Sequence, residues 1–275
     1  RPMYFHKLKA GLDAQGNIVA WQHRIVGQQV MMGVDQMSVE GAANLPYAIP
    51  NISVELHTTK NGVPVQWWRS VGSTHTAYAT ECFLDDVARA ANKDPVELRR
   101  ALLAKHPRHL AALNLAAEKA GWGKPLANGK VRAVAVHESF NTAVAQIVEV
   151  SRAGDGFKLE KVTCAVDCGI AVNPKIVAMQ MESGIGYGLS AALSGAITLK
   201  DGHVEQGNFH EYTVLRMKQM PAVDVHIVPS TAAPTGVGEP GTPVIAPAVA
   251  NAIAALSGKP IRVLPFTTAK VSVNT

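Results

Sequence analysis

Cysteine is scarce in this sequence: Cys82, Cys164 and Cys168 are the only three among 275 residues. Three thiols cannot all pair, and a chain of this length needs no disulfide framework to hold a core. Neither Cys164-Ala-Val-Asp-Cys168 nor His106-Pro-Arg-His109 has zinc-site spacing, and no second ligand pair accompanies them. Blocks of like charge are also missing. Lys and Arg number 26 against 21 Asp and Glu, a formal charge of +5, but the cations are scattered, which argues against a nucleic-acid-binding face. Long apolar runs are absent too. The longest, residues 244–256 and 185–193, are broken by proline or glycine and fall short of the roughly 20 residues that span a bilayer.

Missing motifs narrow the chemistry further. The sequence has no P-loop and no Gly-x-Ser-x-Gly elbow, and His137-Glu138 and His210-Glu211 lack the second histidine of a helical zinc-protease motif. Gly186-Tyr-Gly-Leu-Ser-Ala191 fits a dinucleotide fingerprint loosely, but inside a helical pattern rather than between strand and helix. The chain opens on Arg1-Pro2 and enters a strand-like run without an initiator Met or signal-like segment. It is therefore expected to be a piece whose upstream part lies elsewhere.

What is present is an ordinary globular composition, 47% hydrophobic and 17% charged, enough for one large domain or two modest ones. Alternating apolar residues around glycine-containing turns predict hairpins over 8–21, 146–166 and 197–206, with further strands over 52–58 and 223–228. Helical spacing predicts a helix to about residue 91 capped by Ser73 or Thr74, and another opening at Asp94-Pro-Val-Glu97 and ending before Pro107. A third runs over 109–120 and stops at Gly121, a fourth covers 176–193, and an apolar helix follows Glu239. The 176–193 helix is rich in small residues, and helix-interior glycine costs about 1 kcal/mol relative to alanine. Its glycines thus predict close approach by another backbone or by a ligand. Strands and helices interleave without steady alternation, so the fold class is α+β with mixed sheets and packed helices. Trp-Gly-Lys-Pro-Leu-Ala-Asn-Gly after Gly121 suggests a boundary, giving parts 1–121 and 122–275.

Chemistry concentrates in Pro234-Thr-Gly-Val-Gly-Glu-Pro-Gly-Thr-Pro243, where three glycines and three prolines surround one carboxylate. Such a loop can hold Glu239 rigidly in a cavity, where desolvation would raise its pKa into the range of a working base. It can equally be a surface turn with an exposed glutamate. The local residues leave both open.

Gly236-Val-Gly-Glu-Pro240, followed by Thr-Pro-Val-Ile-Ala-Pro-Ala-Val-Ala-Asn-Ala-Ile253, resembles the active-site signature of the xanthine dehydrogenase and aldehyde oxidase family of molybdenum hydroxylases. The resemblance implies the molybdopterin-binding domain fold, and Glu239 as catalytic base. Trp67-Trp-Arg-Ser-Val-Gly-Ser-Thr-His-Thr-Ala77 resembles the family segment that places an arginine near substrate and metal, which implies a catalytic role for Arg69 in stabilising developing negative charge or orienting substrate. Here Ser-Val-Gly stands where relatives more often carry Gly-Phe/Pro-Gly. Val166-Asp-Cys-Gly-Ile-Ala-Val-Asn-Pro174 and the helix after it are similar to the element beside the pterin. That implies cofactor contacts by Gln180 and Gly184, joined by Gly236 and Gly238 of the glutamate loop; Asp167 and Asn173 read as turn and cap residues.

Ala135-Val-His-Glu-Ser-Phe140, Glu205-Gln-Gly-Asn-Phe-His-Glu-Tyr212 and His226-Ile-Val-Pro-Ser230 look like the isoquinoline 1-oxidoreductase β-subunit branch, which includes membrane-associated aldehyde dehydrogenases. The implied reaction is hydroxylation of an aldehyde or an N-heteroaromatic ring, with water as oxygen source. The implied cofactor is molybdopterin cytosine dinucleotide. No protein metal ligand is expected, because the pterin dithiolene would hold the metal. Expected partners are the upstream part of the same large subunit, a small subunit carrying 2Fe-2S iron–sulfur clusters, a cytochrome c subunit and a small-molecule substrate. A periplasmic or membrane-associated location goes with that branch. The alternative is a folded, non-catalytic structural or assembly fragment of the same fold. The family's Met-Gly-Gln-Gly loop is absent, and Val26-Gly-Gln-Gln-Val30 meets Met31-Met-Gly33 early, as if residues were missing between them.

Overall fold

The computed structural model describes residues 2–30, 36–127 and 129–275, so the expected gap beside Met31 lies outside the described residues. The elements, in chain order, begin with β1 (Tyr4–Leu12), β2 (Ile18–Gly27), α1 (Gln36–Val39) and β3 (Ile52–Thr58). Three helices follow: α2 (Ser73–Ala90), α3 (Pro95–Leu102) and α4 (Pro107–Ala120). The remainder comprises β4 (Lys130–Ser139), β5 (Thr142–Ala153), β6 (Gly156–Asp167), α5 (Pro174–Leu193), β7 (Leu199–Lys200), β8 (His203–Val204), β9 (Ala222–Ile227), α6 (Thr242–Ser257) and β10 (Val273–Asn274). This is an α+β arrangement with mixed sheets.

β1 and β2 form the expected antiparallel hairpin, and β3 adds to β2 in parallel. The larger sheet is built on β4, β5 and β6, antiparallel to one another; β9 and β10 lie along the free edge of β6, both parallel to it. β5 is apolar on both faces. Val144, Val148 and Val150 enter a core with α5 and α6, while Ala145 and Ile147 enter a second core with α3 and α4. A sheet covered by helices on both sides needs apolar residues at successive positions, not at alternate ones. β4 follows the same rule, with Ala133 and Ala135 in one core and Val134 and Val136 in the other. β4 leaves no strand signature in the sequence, because a run buried on both faces lacks the period-2 alternation. The second core takes side chains from both sides of Gly121.

Caps follow the sequence in three helices and depart from it in one. Asp94 accepts from the Val96 and Glu97 amides, Asn173 accepts from Ile176, and Gly121 closes α4 in the left-handed conformation at φ 67°. Proline at the first helical position starts α4 at Pro107 and α5 at Pro174, two residues earlier than spacing predicts in each case. At α2 neither Ser73 nor Thr74 caps. The carboxylate of Glu40, from the turn after α1, accepts from the amides of Gly72 at 2.8 Å and Ser73 at 3.2 Å.

Two glycines of α5, Gly184 and Gly188, serve helix packing. A Cβ on Gly184 would lie 3.0 Å from the Gly241 carbonyl carbon, and one on Gly188 would lie 2.4 Å from the Thr242 carbonyl oxygen. Bare backbone at these two points lets α5 meet the first turn of α6. Across the molecule, fully buried Arg99 pairs with Glu81 at 3.0 Å and Asp85 at 2.7 Å, and Glu81 also accepts from Tyr47 and from the Val136 amide. This network binds α2, α3 and β4 into one body.

Candidate functional site

Three segments distant in sequence converge at the start of α6. They are the turn at residues 68–72 before α2, the outer face of α5, and the loop at residues 234–241. The loop is framed from below by the ends of the large sheet. The Thr235 amide donates to the Cys168 carbonyl at 2.9 Å, and its hydroxyl meets that of Thr142 at 2.6 Å. Gly169, at φ 69°, allows Ala233 to pass so closely that a Cβ there would lie 2.1 Å from the Ala233 carbonyl oxygen. Arg108 joins the same frame, binding Asp167 at 3.0 Å and the Asn141 carbonyl at 2.8 Å. Asp167, whose Oδ1 accepts from the Gly169 amide, is thus a turn residue.

From the other side the loop is held by Arg69 and Ser70. Arg69 Nε donates to the Gly238 carbonyl at 2.8 Å, and Nη2 reaches the same oxygen. Nη1 donates to Ser183 Oγ and Nη2 to Gln180 Oε1, each at 3.0 Å. Gln180, Ser183 and Tyr187 follow one another at helical spacing along one face of α5. The guanidinium carbon stands 5.6 Å from the Tyr187 ring centroid, and Trp68 packs on that ring at 4.8 Å. Ser70 completes the clamp. Its hydroxyl donates to the Glu239 carbonyl at 2.7 Å, and its amide donates to Glu239 Oε1 at 3.1 Å.

This geometry requires unusual backbone. Ser70 and Val71 have φ of 70° and 46°, the left-handed region, which a β-branched side chain rarely enters. Strain of this kind persists where surrounding contacts over-determine it, and it concentrates at functional sites. The contacts here are the two bonds from Ser70 to Glu239, the Val71 amide on the Trp68 carbonyl at 2.8 Å, and Glu40 on the two following amides. Burial raises the Glu40 pKa; the Ser73 and Gly72 amides oppose that rise, and the negative charge of Glu239 adds to it.

The structure therefore brings Glu239, Arg69, Gln180 and Gly238 together, and Glu239 is half-buried rather than on an exposed turn. Gly184 is buried against Gly241, and Gly236 lies against Phe140, where an added Cβ would come 3.3 Å from the Phe140 Cβ. Arg69 is engaged on all three guanidinium nitrogens, which makes it a clamp on the glutamate loop. Three site members were not singled out by sequence. Ser70 was visible inside the Trp-Trp-Arg-Ser motif and Ser183 as the residue one turn beyond Gln180, whereas Glu40 has no local signal.

Among the described residues no group of three or more His, Cys, Asp or Glu side chains could hold a metal ion, so any metal here needs another source of ligands. A Cβ on Gly238 would meet nothing within 4 Å, which leaves the backbone beside Glu239 open to close approach. Beyond Ser183 and Tyr187 the surface dips into an open groove of about 610 Å³, lined also by Trp68, Tyr212, Met217 and Met220. The Gln180 side-chain amide, the open backbone at Gly238 and the adjoining groove fit a bound organic group.

Molybdopterin cofactor-binding domain models match residues 1–103 and 103–221. The chain is similar to isoquinoline 1-oxidoreductase subunit beta of Brevundimonas diminuta, 36% identical over 225 residues, which covers 80% of this chain and 29% of that protein. It is similar also to the membrane-bound aldehyde dehydrogenase (pyrroloquinoline-quinone) of Gluconacetobacter polyoxogenes, 35% identical over 227 residues, covering 74% of this chain and 29% of that one. The chain thus spans under a third of these relatives. Its fold matches quinoline 2-oxidoreductase from Pseudomonas putida 86, with a TM-score of 0.78 at 13% identity over 96% of this chain and 61% of that one. Aldehyde oxidoreductase from Desulfovibrio gigas matches with a TM-score of 0.73 at 14% identity, over 95% and 48% of the two chains.

Proposed function

Because the chain belongs to the molybdenum hydroxylase family, we propose that it is the C-terminal part of a molybdenum-dependent oxidoreductase large subunit in which Glu239 is the catalytic base. The observation that carries this reading is the convergence on Glu239. Ser70 holds the carboxylate through Oε1, Arg69 fixes the preceding carbonyl, and Thr242 closes the first turn of α6 on the Glu239 carbonyl at 2.9 Å. A carboxylate held on both flanks is positioned to take a proton with little reorganisation.

The overall reaction replaces a substrate C–H by C–OH, with oxygen from water and release of two electrons and two protons. The molybdopterin cofactor, when bound, supplies the redox centre that takes up the electrons. This chain supplies the rest of the local chemistry. Glu239 accepts a proton at its carboxylate, Gln180 would offer its side-chain amide to the cofactor, and the loop backbone at Gly236 and Gly238, open at Gly238 where an added Cβ would meet nothing within 4 Å, would hold the pterin. Arg69 acts on Glu239 by fixing the loop.

The substrate class is an aldehyde or an N-heteroaromatic compound, supported by the names of the relatives in both groups. The cofactor form is the cytosine dinucleotide. Electrons leave through iron–sulfur clusters on a small 2Fe-2S subunit, then through a cytochrome c subunit, in a complex that also contains the upstream part of the large subunit. The location, periplasmic or membrane-associated, rests on the likeness to a membrane-bound enzyme; no helix among the described residues is long and apolar enough to cross a membrane. Molybdenum and pterin analysis of the purified complex tests the proposal. Near-stoichiometric molybdenum per large subunit is expected, and a complex devoid of both would identify a structural or assembly piece instead.

A further inference from the structure

Glu40 lies outside every motif that pointed to the site, yet its carboxylate is built into it. Oε1 accepts from the Gly72 and Ser73 amides at 2.8 and 3.2 Å, the first backbone donors of α2. Helix N-termini hold anions well, because their amides are unpaired and the helix dipole favours negative charge. The position of Glu40 is itself fixed. Its carbonyl accepts from Thr76 Oγ1 at 2.6 Å, and Gly41 follows at φ 78°, where a Cβ would lie 2.5 Å from His137 Cε1. Gly72 is equally constrained, since a Cβ there would lie 1.8 Å from the Met37 carbonyl oxygen.

The two strained residues, Ser70 and Val71, lie between this anchor and Glu239. We propose that Glu40 is a positioning residue for Glu239: by gripping the Gly72 and Ser73 amides it holds the left-handed turn that aims the Ser70 amide and hydroxyl at the base. The inference rests on the reading of Glu239 as the base. Without the anchor the turn relaxes toward ordinary backbone, the Ser70 donors swing away, and Glu239 loses its alignment. Glu40 touches neither substrate nor reacting atoms and acts only through the chain. Its essential feature is an acceptor oxygen at the right reach, with charge secondary.

That distinction sets the test, made on the complete purified holoenzyme with Glu40→Ala, Glu40→Gln, Glu40→Asp and Glu239→Gln. Glutamine keeps an acceptor oxygen at the same reach without charge; aspartate keeps the charge and loses about one methylene of reach. Glu40→Ala and Glu40→Asp are expected to lose about 10- to 100-fold in kcat, the cost of misplacing a reacting group by about an ångström, with little change in KM. Glu40→Gln should recover at least about a third of the wild-type kcat, within the spread of a retained hydrogen bond. Amide hydrogen exchange over residues 70–73 should quicken in the alanine and aspartate variants, with molybdenum content unchanged. Should the alanine variant fail to fold, the ordering of Gln over Asp, in both kcat and exchange, decides. An aspartate variant as active as wild type beside an inactive glutamine variant would overturn the proposal. So would normal kcat and unchanged exchange in Glu40→Ala while Glu239→Gln is inactive. An active Glu239→Gln enzyme would instead overturn the reading of the base, whatever Glu40 does.

Discussion

Arg69 and Gly238 are joined across 169 residues of sequence by the guanidinium Nε, which donates to the Gly238 carbonyl oxygen at 2.8 Å, one residue before the glutamate. Through its other nitrogens the same side chain reaches Ser183 and Gln180, so a single planar fork ties the loop to α5. Lysine has one compact ammonium and cannot span these acceptors together. Arg69→Lys is expected to lower kcat about 10- to 100-fold through misalignment of the loop. Steady-state kinetics and metal analysis of the holoenzyme check it, with molybdenum content expected to stay near wild type.

Gly188 and Gly238 predict opposite behaviours. A methyl on Gly188 would press on the Thr242 carbonyl at 2.4 Å, so Gly188→Ala should destabilise the protein by about 1–3 kcal/mol, the usual cost of overpacking. Gly238→Ala meets no neighbour within 4 Å and should fold normally. If the pterin approaches there, the Gly238 variant should instead retain less cofactor. Thermal melts and pterin content, measured on both, separate the two effects.

The buried Arg99 network bears on stability. Removing the cation leaves Glu81 and Asp85 buried without their counter-charge, and a broken buried ion pair costs about 3–5 kcal/mol. Arg99→Met should show that loss in denaturant unfolding, and Arg99→Met with Glu81→Gln and Asp85→Asn should recover part of it. Equal stability of the single and triple variants would contradict the pairing.

An acid limb of stability should come from a histidine chain. His6 Nδ1 meets His23 Nε2 at 2.8 Å, and His6 Nε2 meets His75 Nδ1 at 3.1 Å. Burial, with the neighbouring imidazole, pushes His6 down to about 3, and burial pushes His23 down to about 4, from the usual 6.5. The unfolded chain therefore binds more protons than the folded one below pH 6.5. Stability is full above that pH and falls as pH drops from 6.5 toward the folded values, by up to about 1.4 kcal/mol per pH unit for each imidazole. Unfolding free energy measured between pH 7.5 and 5 should fall, and His23→Gln should flatten the slope; an unchanged slope would place the acid sensitivity elsewhere.

Local chemistry and motif resemblance carried much of the fold and part of the site. The Asp94, Asn173 and Gly121 caps follow from residue type alone, and the glycine-turn hairpins formed where the turns stood. β4 was hidden because a strand buried on both faces does not alternate. Local sequence points to Ser73 or Thr74 as the cap of α2, whereas the acceptor is Glu40, more than thirty residues upstream and beyond the reach of any local signal. The glycines of α5 announced close approach without naming the partner; for Gly184 and Gly188 that partner is the first turn of α6. Ser70 carried no signal for its left-handed backbone, since serine gives no hint of the conformation that long-range contacts impose on it.

The most direct measurement of the central claim is kcat for Glu239→Gln in the complete holoenzyme, with molybdenum and pterin determined on the same preparation. Glutamine preserves the shape of the side chain and an acceptor for the Ser70 amide, but it cannot take the proton. The account predicts full cofactor content with turnover reduced by about 100-fold or more, the scale of general-base catalysis. Turnover within a few-fold of wild type would contradict it.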